Sequence, residues 1–547
     1  MKLLMKLMMG ALLIMGLIGV DGKDSQDIEC EIADHADLSG VNLTGRDLSG
    51  ADLDRFDLSH SSLNHSDLSH ASLRSAWLMH SDLQHAILIG ADLTGADLRC
   101  ADLTGANLSE AKMCRSCLQD ALLAGAGLQK TYLTGADLRG ADLTGANLSE
   151  AEMSRSSLLQ DTLLVRANLK RTKLVGADLE GSNLTEAELS GADMQESRIC
   201  GANFVAASLR EVNLMSANCT AANFAGADLS GSLMTRIRLR DAYMAGANLT
   251  GTDCSGASFI NATLPGADLS GALLVYARMA EANLTYCRLV KTDLTNAQLE
   301  YCDLSGADLT DARLVGASLI ETNMSDADLS GANLMGARMS WADLSGCRFS
   351  KGILSRAELY RVDMSDADLS DSDLTRAYIM WADLTGANLN NAKLNYADMT
   401  ESDLSGASLV HAKLFRADLT RTNLSCTDLA DTELDSVSVV GTNMHMARLV
   451  NARFNKLYLT DADLREADLK RVSMNNVILD NVNLSGADLR GADLKFVTII
   501  EADLRGADLK RIKYDSFTLQ QLLNAELDGA IMDDNLEADL EELRRNQ

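Results

Sequence analysis

Four histidines in the N-terminal part of the chain have the side chains best suited to binding a metal ion. His60 and His80 are twenty residues apart, and His65 and His85 repeat that separation. Imidazole nitrogens bind Zn²⁺ and change charge near neutral pH. If the fold places residues twenty apart next to each other, each pair could hold a metal ion or respond to pH. Two ligands per site are an incomplete set, and tolerated substitution at exposed corners is the competing interpretation.

A second group of residues, rich in aromatic and arginine side chains, suggests a binding surface in the C-terminal half. Trp, Tyr and Arg are the residue types that most often anchor interfaces, and exposed apolar clusters on soluble proteins mark contact sites. Random drift at permissive outward positions is the alternative. The predicted partner-binding residues are Trp341, Trp381, Tyr301, Tyr360, Tyr378, Arg338 and Arg361.

Motifs with established catalytic chemistry are absent from the sequence. It contains no HExxH, phosphate-binding loop or GxGxxG, and its Ser and Asp residues recur too regularly to single out a triad. Cys114 and Cys117 could form a disulfide or bind a metal, but incidental surface thiols are the simpler interpretation. The sequence therefore predicts a protein that is not an enzyme and uses no cofactor.

Five-residue units position all of these side chains, starting at Ala36 and continuing almost to the C-terminus. A typical unit is Ala-Asp-Leu-Ser-Gly at 36–40. Small, polar and large apolar residues in succession are typical of a short strand with two side chains inside and one outside, and Ser-Gly favours a turn. One unit cannot bury its own apolar face, so successive coils must stack. The repeat predicts an all-β solenoid filled by Leu and Ala.

The repeated units resemble those of the pentapeptide-repeat family, which follow the pattern A-(D/N)-L-x-x. Residues 91–95 and 487–491 match that pattern directly. The resemblance implies a right-handed quadrilateral parallel β-helix with four units per coil. The recurrence of 106–113 as 146–153 supports this, because the offset of 40 equals two coils, although two or eight units per coil would also fit. Residues twenty apart would then share a column, about 4.8 Å from one another.

The chain is predicted to have a long repeat region between two caps. Residues 36–511 form the β-helix, with a one-residue phase shift near 159–161 that we expect to be a bulged corner. Residues 23–35 would cap the first coil. Residues 512–547 would form a C-terminal cap with short helices, the first capped by Thr518, because an open coil edge would pair with another molecule. This cap could also support a homodimer.

Residues 1–22 have the layout of an export signal. Lys2 and Lys6 precede the apolar stretch 7–20, and polar residues follow from Asp21. The apolar stretch is short for a bilayer span, although an uncleaved segment could still anchor the chain in a membrane. We therefore predict a secreted or cell-envelope protein, periplasmic or extracellular, with membrane anchoring as the alternative. The eleven cysteines stand in tension with export to an oxidising compartment.

The formal net charge of −29 argues against direct binding to nucleic acid or to an anionic membrane. The sequence predicts a non-enzymatic exported scaffold that presents a rigid surface to an unknown protein or glycan partner. The alternative comes from the resemblance alone, because some pentapeptide-repeat proteins mimic B-form DNA and act on a type II topoisomerase. Outward acidic residues such as Asp363, Asp383 and Asp403 permit that function.

Overall fold

The computed structural model describes residues 37–155 and 157–546. The chain divides into an N-terminal unit, Met1–Asp268, and a C-terminal unit, Leu269–Gln547. The predicted export signal, 1–22, and the predicted N-terminal cap, 23–35, lie outside the described residues. No helix within the described residues is long and apolar enough to cross a bilayer.

Each unit is a stack of coils in which four short edges complete one level. In the first coil, outward residues at five-residue intervals pair in parallel with residues twenty positions later, as Asp37 does with Asp57 and Asn42 with Ser62. The same register holds in the C-terminal unit. Backbone hydrogen bonds join the levels, such as the 2.7 Å bond from Leu58 N–H to the Trp77 carbonyl. The predicted quadrilateral parallel β-helix is confirmed.

The interior of each coil is filled by the large and small apolar residues of the repeat. Leu58 and Ala71 are fully buried, and Phe204 and Phe224 stack inside the N-terminal unit with their ring centroids 4.9 Å apart. Ser61 occupies a small inward position, and its hydroxyl donates to the Leu58 carbonyl. Serine and threonine are tolerated inside because the backbone accepts their hydroxyl protons.

Each corner turns through a residue with positive φ. Glycine fills many of these positions, including Gly40 at φ 69°, but side-chain-bearing residues such as His60 at φ 58° fill others. The outward Asp or Asn supports the turn by accepting a backbone hydrogen bond two residues later, as Asp57 does from Ser59 N–H. A residue with a Cβ atom costs about 1–2 kcal/mol in this conformation, whereas glycine does not.

The extra residue of the repeat lies between Met153 and Ser157, before the predicted 159–161. Glu152 pairs with Lys173, twenty-one residues later, whereas Leu158 pairs with Asp178 at the usual twenty. The insertion falls earlier because Leu159, and not Leu158, occupies the buried centre of its unit.

Seven edges near the C-terminus are long enough to be regular strands. They form two parallel sheets, one with the order β1-β3-β5-β7 and the other with the order β2-β4-β6. The strands are β1 Arg453–Asn455, β2 Tyr458–Thr460, β3 Ser473–Asn475, β4 Ile478–Asp480, β5 Asp493–Lys495, β6 Thr498–Ile500 and β7 Lys513–Tyr514. They are followed by helix α1, Ser516–Gln521, a 3₁₀ turn, Leu522–Asn524, and helix α2, Asp534–Asn546.

The C-terminal helices cover the last open edge of the coil, as predicted. Asp515, not Thr518, caps α1: its carboxylate accepts from Thr518 N–H at 2.7 Å and from Phe496 N–H at 3.0 Å. Thr518 is buried within the helix, where its hydroxyl oxygen accepts from Val497 N–H at 3.1 Å. Side chains of the cap thus replace the carbonyls that a further coil would supply.

Candidate partner-binding surface

One corner column of the C-terminal unit carries both of that unit's tryptophans. Trp341 and Trp381 sit at its positive-φ position, at 63° and 55°, with Arg361 in the coil between them. The local backbone directs these side chains outward, and the two indoles are 52% and 42% exposed. Residues of this column are Tyr301, Glu321, Trp341, Arg361, Trp381, Glu401 and Arg421.

Tyr360 and Arg361 connect the two indoles. The Tyr360 ring lies edge-on to both, with centroid distances of 6.1 Å to Trp341 and 5.0 Å to Trp381. The Arg361 guanidinium lies over the Trp341 ring at 4.6 Å. Edge-to-face rings and cation–π contacts are each worth about 0.5–1.5 kcal/mol, so neighbouring side chains restrain the exposed indoles.

Hydrogen bonds extend this column by two coils. Trp381 Nε1–H donates to Glu401 Oε2 at 2.7 Å, and Arg421 Nη1 lies 3.1 Å from Glu401 Oε1. The Trp381 hydrogen bond first, and then the Arg421 contacts, lower the pKa of the Glu401 carboxyl. Glu401 is therefore anionic at neutral pH and fixes the orientation of the Trp381 indole.

The other predicted residues lie around this cluster without joining its ring contacts. Tyr301 shares the corner column but is two coils from Trp341, and among the described residues it makes no ring contact. Arg338 Nε lies 3.6 Å from a Glu358 carboxylate oxygen, and Tyr378 is 51% exposed on the adjoining edge. The structure thus brings four of the seven predicted residues into contact.

A second aromatic cluster lies on the corner preceding the Tyr378 edge. Tyr396 and Phe415 meet edge to face at 5.5 Å, with Arg376 over the Tyr396 ring at 5.4 Å and Arg416 over Phe415 at 5.3 Å. Phe415 is missing from the sequence prediction, although its position beside Arg416 on the same corner was a usable signal. We call the two clusters and the edge between them the aromatic–arginine surface; it comprises Trp341, Tyr360, Arg361, Arg376, Tyr378, Trp381, Tyr396, Phe415 and Arg416.

The four candidate metal-binding histidines form two stacked pairs in the N-terminal unit. The ring centroids of His60 and His80 are 5.0 Å apart, and those of His65 and His85 are 5.1 Å apart. Within the described part of the chain, no group of three or more His, Cys, Asp or Glu residues could hold a metal ion. Each pair offers a metal ion only two ligands. A metal-binding role for these histidines therefore stays a prediction.

Several cysteine side chains among the described residues are buried, and burial disfavours their thiolate form. Cys114 and Cys117 form no disulfide within the described residues, and burial raises the pKa of the Cys117 thiol. Burial also raises the pKa of Cys254, Cys302 and Cys347 to about 12. Cys117, Cys254, Cys302 and Cys347 are therefore thiols at neutral pH, and the last three serve as small apolar fillers of the core.

The family model for pentapeptide repeats matches most of the chain, and the protein belongs to the pentapeptide-repeat family. Members are generally structural repeat proteins, and this chain is a pentapeptide-repeat scaffold. The matched segments together span residues 36–74, 78–113, 116–158, 162–231, 237–274, 277–379 and 382–511.

Solved structures similar to this chain include other pentapeptide-repeat proteins. HetL, involved in heterocyst differentiation regulation in the cyanobacterium Nostoc sp. strain PCC 7120, is 31% identical over 46% of this chain and 88% of its own, with a TM-score of 0.15. QnrB1, a plasmid-mediated fluoroquinolone resistance protein, is 17% identical over 45% of this chain and 95% of its own, with a TM-score of 0.25. No curated protein sequence matched the chain.

Proposed function

We propose that this protein is an exported, non-enzymatic scaffold whose aromatic–arginine surface binds a protein or glycan partner. The observation that carries the proposal is the pair of exposed indoles, Trp341 and Trp381, on positive-φ corners two coils apart. A glycine would avoid the strain of that backbone conformation. Bulky residues at strained positions are a reason to look for a function outside the fold.

The contacts of these indoles also favour an external partner. Tyr360, Arg361 and Glu401, which touch them, are themselves surface residues outside the apolar core. The cluster is therefore not needed to close the coil or fill its interior. Tryptophan, tyrosine and arginine dominate the binding energy of protein interfaces, and flat aromatic rings also suit the apolar faces of sugars.

Rigidity would add to the affinity of this surface. Ordering a flexible side chain at an interface costs about 0.5–1.5 kcal/mol. The ring contacts of Tyr360 and the hydrogen bond from Trp381 to Glu401 already restrict those side chains. A partner would therefore meet side chains that are ordered before binding.

Site-specific photo-cross-linking tests the binding role and identifies the partner in the same experiment. A benzophenone amino acid at Tyr360 of the full-length protein, activated in intact cells, should capture a discrete partner protein, while a glycan array probed with the purified chain covers the other ligand class. The same amino acid at the exposed Trp77 of the N-terminal unit is the control. Equal capture at both positions, together with no glycan binding, would contradict the proposal.

Export is supported by the sequence of residues 1–22 and is tested separately by fractionation. We expect a mature chain that begins after Gly19 or Gly22 in the cell envelope or the medium, as found by N-terminal sequencing. Full-length protein in the cytosol would contradict export.

A gyrase supercoiling assay tests the DNA-mimic alternative. Inhibition of supercoiling at micromolar protein, with or without the two tryptophans, would favour that alternative.

A further inference from the structure

A positively charged pocket lies at one corner of the last coils of the C-terminal unit. Its volume is about 390 Å³, within the range of about 300–1,000 Å³ typical of ligand clefts. Five of its six lining residues are cationic, although the whole chain has a net charge of −29. We call this site the basic corner; it is lined by Lys470, Arg471, Arg490, Gly491, Lys510 and Arg511.

The pocket exists because glycine interrupts an arginine column. Arg471, Gly491 and Arg511 occupy the positive-φ position of three successive coils. A Cβ atom built at Gly491 would lie 3.7 Å from Arg471 Cγ, so a longer side chain there would enter the gap. With about 4.8 Å between coils, the two arginine backbones are about 9.6 Å apart, which leaves a notch between their side chains.

Neighbouring carboxylates neutralise only part of the positive charge. Lys470 Nζ lies 2.9 Å from Asp468 and 3.2 Å from Asp488, and Arg490 Nη2 lies 2.5 Å from Asp488. The remaining cations are exposed, and their side chains form no ion pair or hydrogen bond with any described residue; they are Arg471, Lys510 and Arg511.

We propose that the basic corner binds a phosphate or sulfate group. Two arginines and one lysine whose side chains have no ion-pair or hydrogen-bond partner among the described residues line the pocket, and guanidinium forms bidentate hydrogen bonds with such oxyanions. Lys470 and Arg490 line the same pocket, and their ion pairs with Asp468 and Asp488 hold their side chains in place. The strongly acidic remainder of the chain repels long polyanions such as nucleic acid, so the site suits a small anion or a single substituent on a larger ligand.

The basic corner is independent of the aromatic–arginine surface. Within the twenty-residue coil, its column is ten positions, or two edges, away from the column of Trp341 and Trp381. Loss of the two tryptophans should leave anion binding unchanged, so failure of one proposal does not decide the other.

Titration calorimetry of the full-length protein at low ionic strength tests the site. The probes are inorganic phosphate as a free anion and N-acetylglucosamine 6-sulfate as a single sulfate substituent on a sugar, with N-acetylglucosamine as the neutral ligand control. We expect saturable binding of at least one anion, weakened at least tenfold by Arg471→Gln with Arg511→Gln. Both substitutions keep the backbone N–H groups, which bond to the Arg490 carbonyl and to Asp533, so the fold should persist.

Gly491→Asp provides a second variant, because aspartate tolerates positive φ and would place a carboxylate inside the notch. It should abolish binding. Lys456→Gln with Lys495→Gln removes two positive charges from the next corner and should leave affinity within twofold. The proposal is overturned if neither anion binds saturably to the wild type, or if the control variant loses as much affinity as the arginine variant.

Discussion

The two units share one coil geometry but differ in where their exposed aromatic residues lie. In the N-terminal unit, Trp77, Tyr132 and Tyr243 project from the straight edges, and no Phe, Tyr or Trp occupies a positive-φ corner among its described residues. In the C-terminal unit such residues do occupy these corners; they are Tyr276, Tyr286, Tyr301, Trp341, Trp381, Tyr396 and Phe496.

This difference separates two kinds of aromatic residue: those on edges, where the backbone favours them, and those on corners, where the backbone only tolerates them. Edge positions have extended backbone, where aromatic side chains are well accommodated. Corner positions impose a left-handed conformation that costs about 1–2 kcal/mol for aromatic residues and for most others with a Cβ atom, Asn and Asp being better tolerated. An exposed ring on an edge therefore needs no functional explanation, whereas a cluster of rings on neighbouring corners does.

The largest expected effect comes from an aromatic residue inside the coil. Phe204→Ala should destabilise the protein by about 3–5 kcal/mol, because it removes a fully buried ring stacked on Phe224 and leaves a cavity. Trp341→Ala should cost less, about 1–2 kcal/mol, since it gives up one edge-to-face ring contact and one cation–π contact at the surface. Urea unfolding followed by circular dichroism measures both, and equal losses would contradict this division between interior and surface rings.

The next effect is on binding. Trp341→Ala with Trp381→Ala should weaken binding to the cross-linked partner or array-identified glycan at least tenfold, since buried aromatic anchors carry most interface energy. Trp77→Ala, which removes an edge ring of similar exposure, is the matched control. If affinity is the same in all three proteins, these corner rings are not a binding surface.

A smaller effect distinguishes corner from edge tyrosines directly. Tyr286→Gly should stabilise the protein by up to about 1 kcal/mol, because glycine relieves the positive-φ strain at that corner. Tyr132→Gly on an edge should destabilise it by about 0.5–1 kcal/mol, because glycine weakens extended structure. Unfolding midpoints that shift in the same direction for both variants would remove the proposed strain at the corners.

The smallest effect concerns acid stability near the basic corner. The pKa of Asp488 is lowered to about 2, and the hydrogen bond from the Arg490 side chain is the largest cause. The pKa expected in the unfolded chain is about 3.9. This carboxylate therefore contributes stability that is present above about pH 4 and is lost as the pH falls towards 2. Asp488→Asn should flatten the dependence of the unfolding midpoint on pH in this window, modestly because the pair is partly exposed. An unchanged slope would contradict this contribution.

The coil and its columns could be predicted from the sequence because every fifth residue must be apolar to fill the interior of the coil. The placement of Trp341, Arg361 and Trp381 in one corner column follows from that register alone. The position of the phase shift was harder to predict, since Leu158 and Leu159 are adjacent residues of the same type and only packing shows which one is buried.

Contacts that depend on side-chain orientation were not predictable from the repeat. The hydrogen bond from Trp381 to Glu401 needs a particular indole rotamer, and the capping of α1 by Asp515 depends on how the chain leaves the last coil. The basic corner was accessible in principle, because Arg471, Gly491 and Arg511 are twenty residues apart. Its significance depends on which cations the neighbouring carboxylates leave unpaired, and the repeat pattern does not determine how those side chains are oriented.

Disulfide trapping tests the twenty-residue register of the C-terminal unit most directly. With the exposed and half-buried native cysteines replaced by serine, Asp383→Cys with Asp403→Cys should oxidise to an intramolecular disulfide in the folded protein, because these residues pair on successive coils and strand spacing suits the bond. Asp383→Cys with Asp398→Cys, fifteen residues apart on different edges, should remain reduced. Peptide mass spectrometry that finds the fifteen-residue pair linked and the twenty-residue pair open would contradict the four-edged coil, and with it both proposed surfaces.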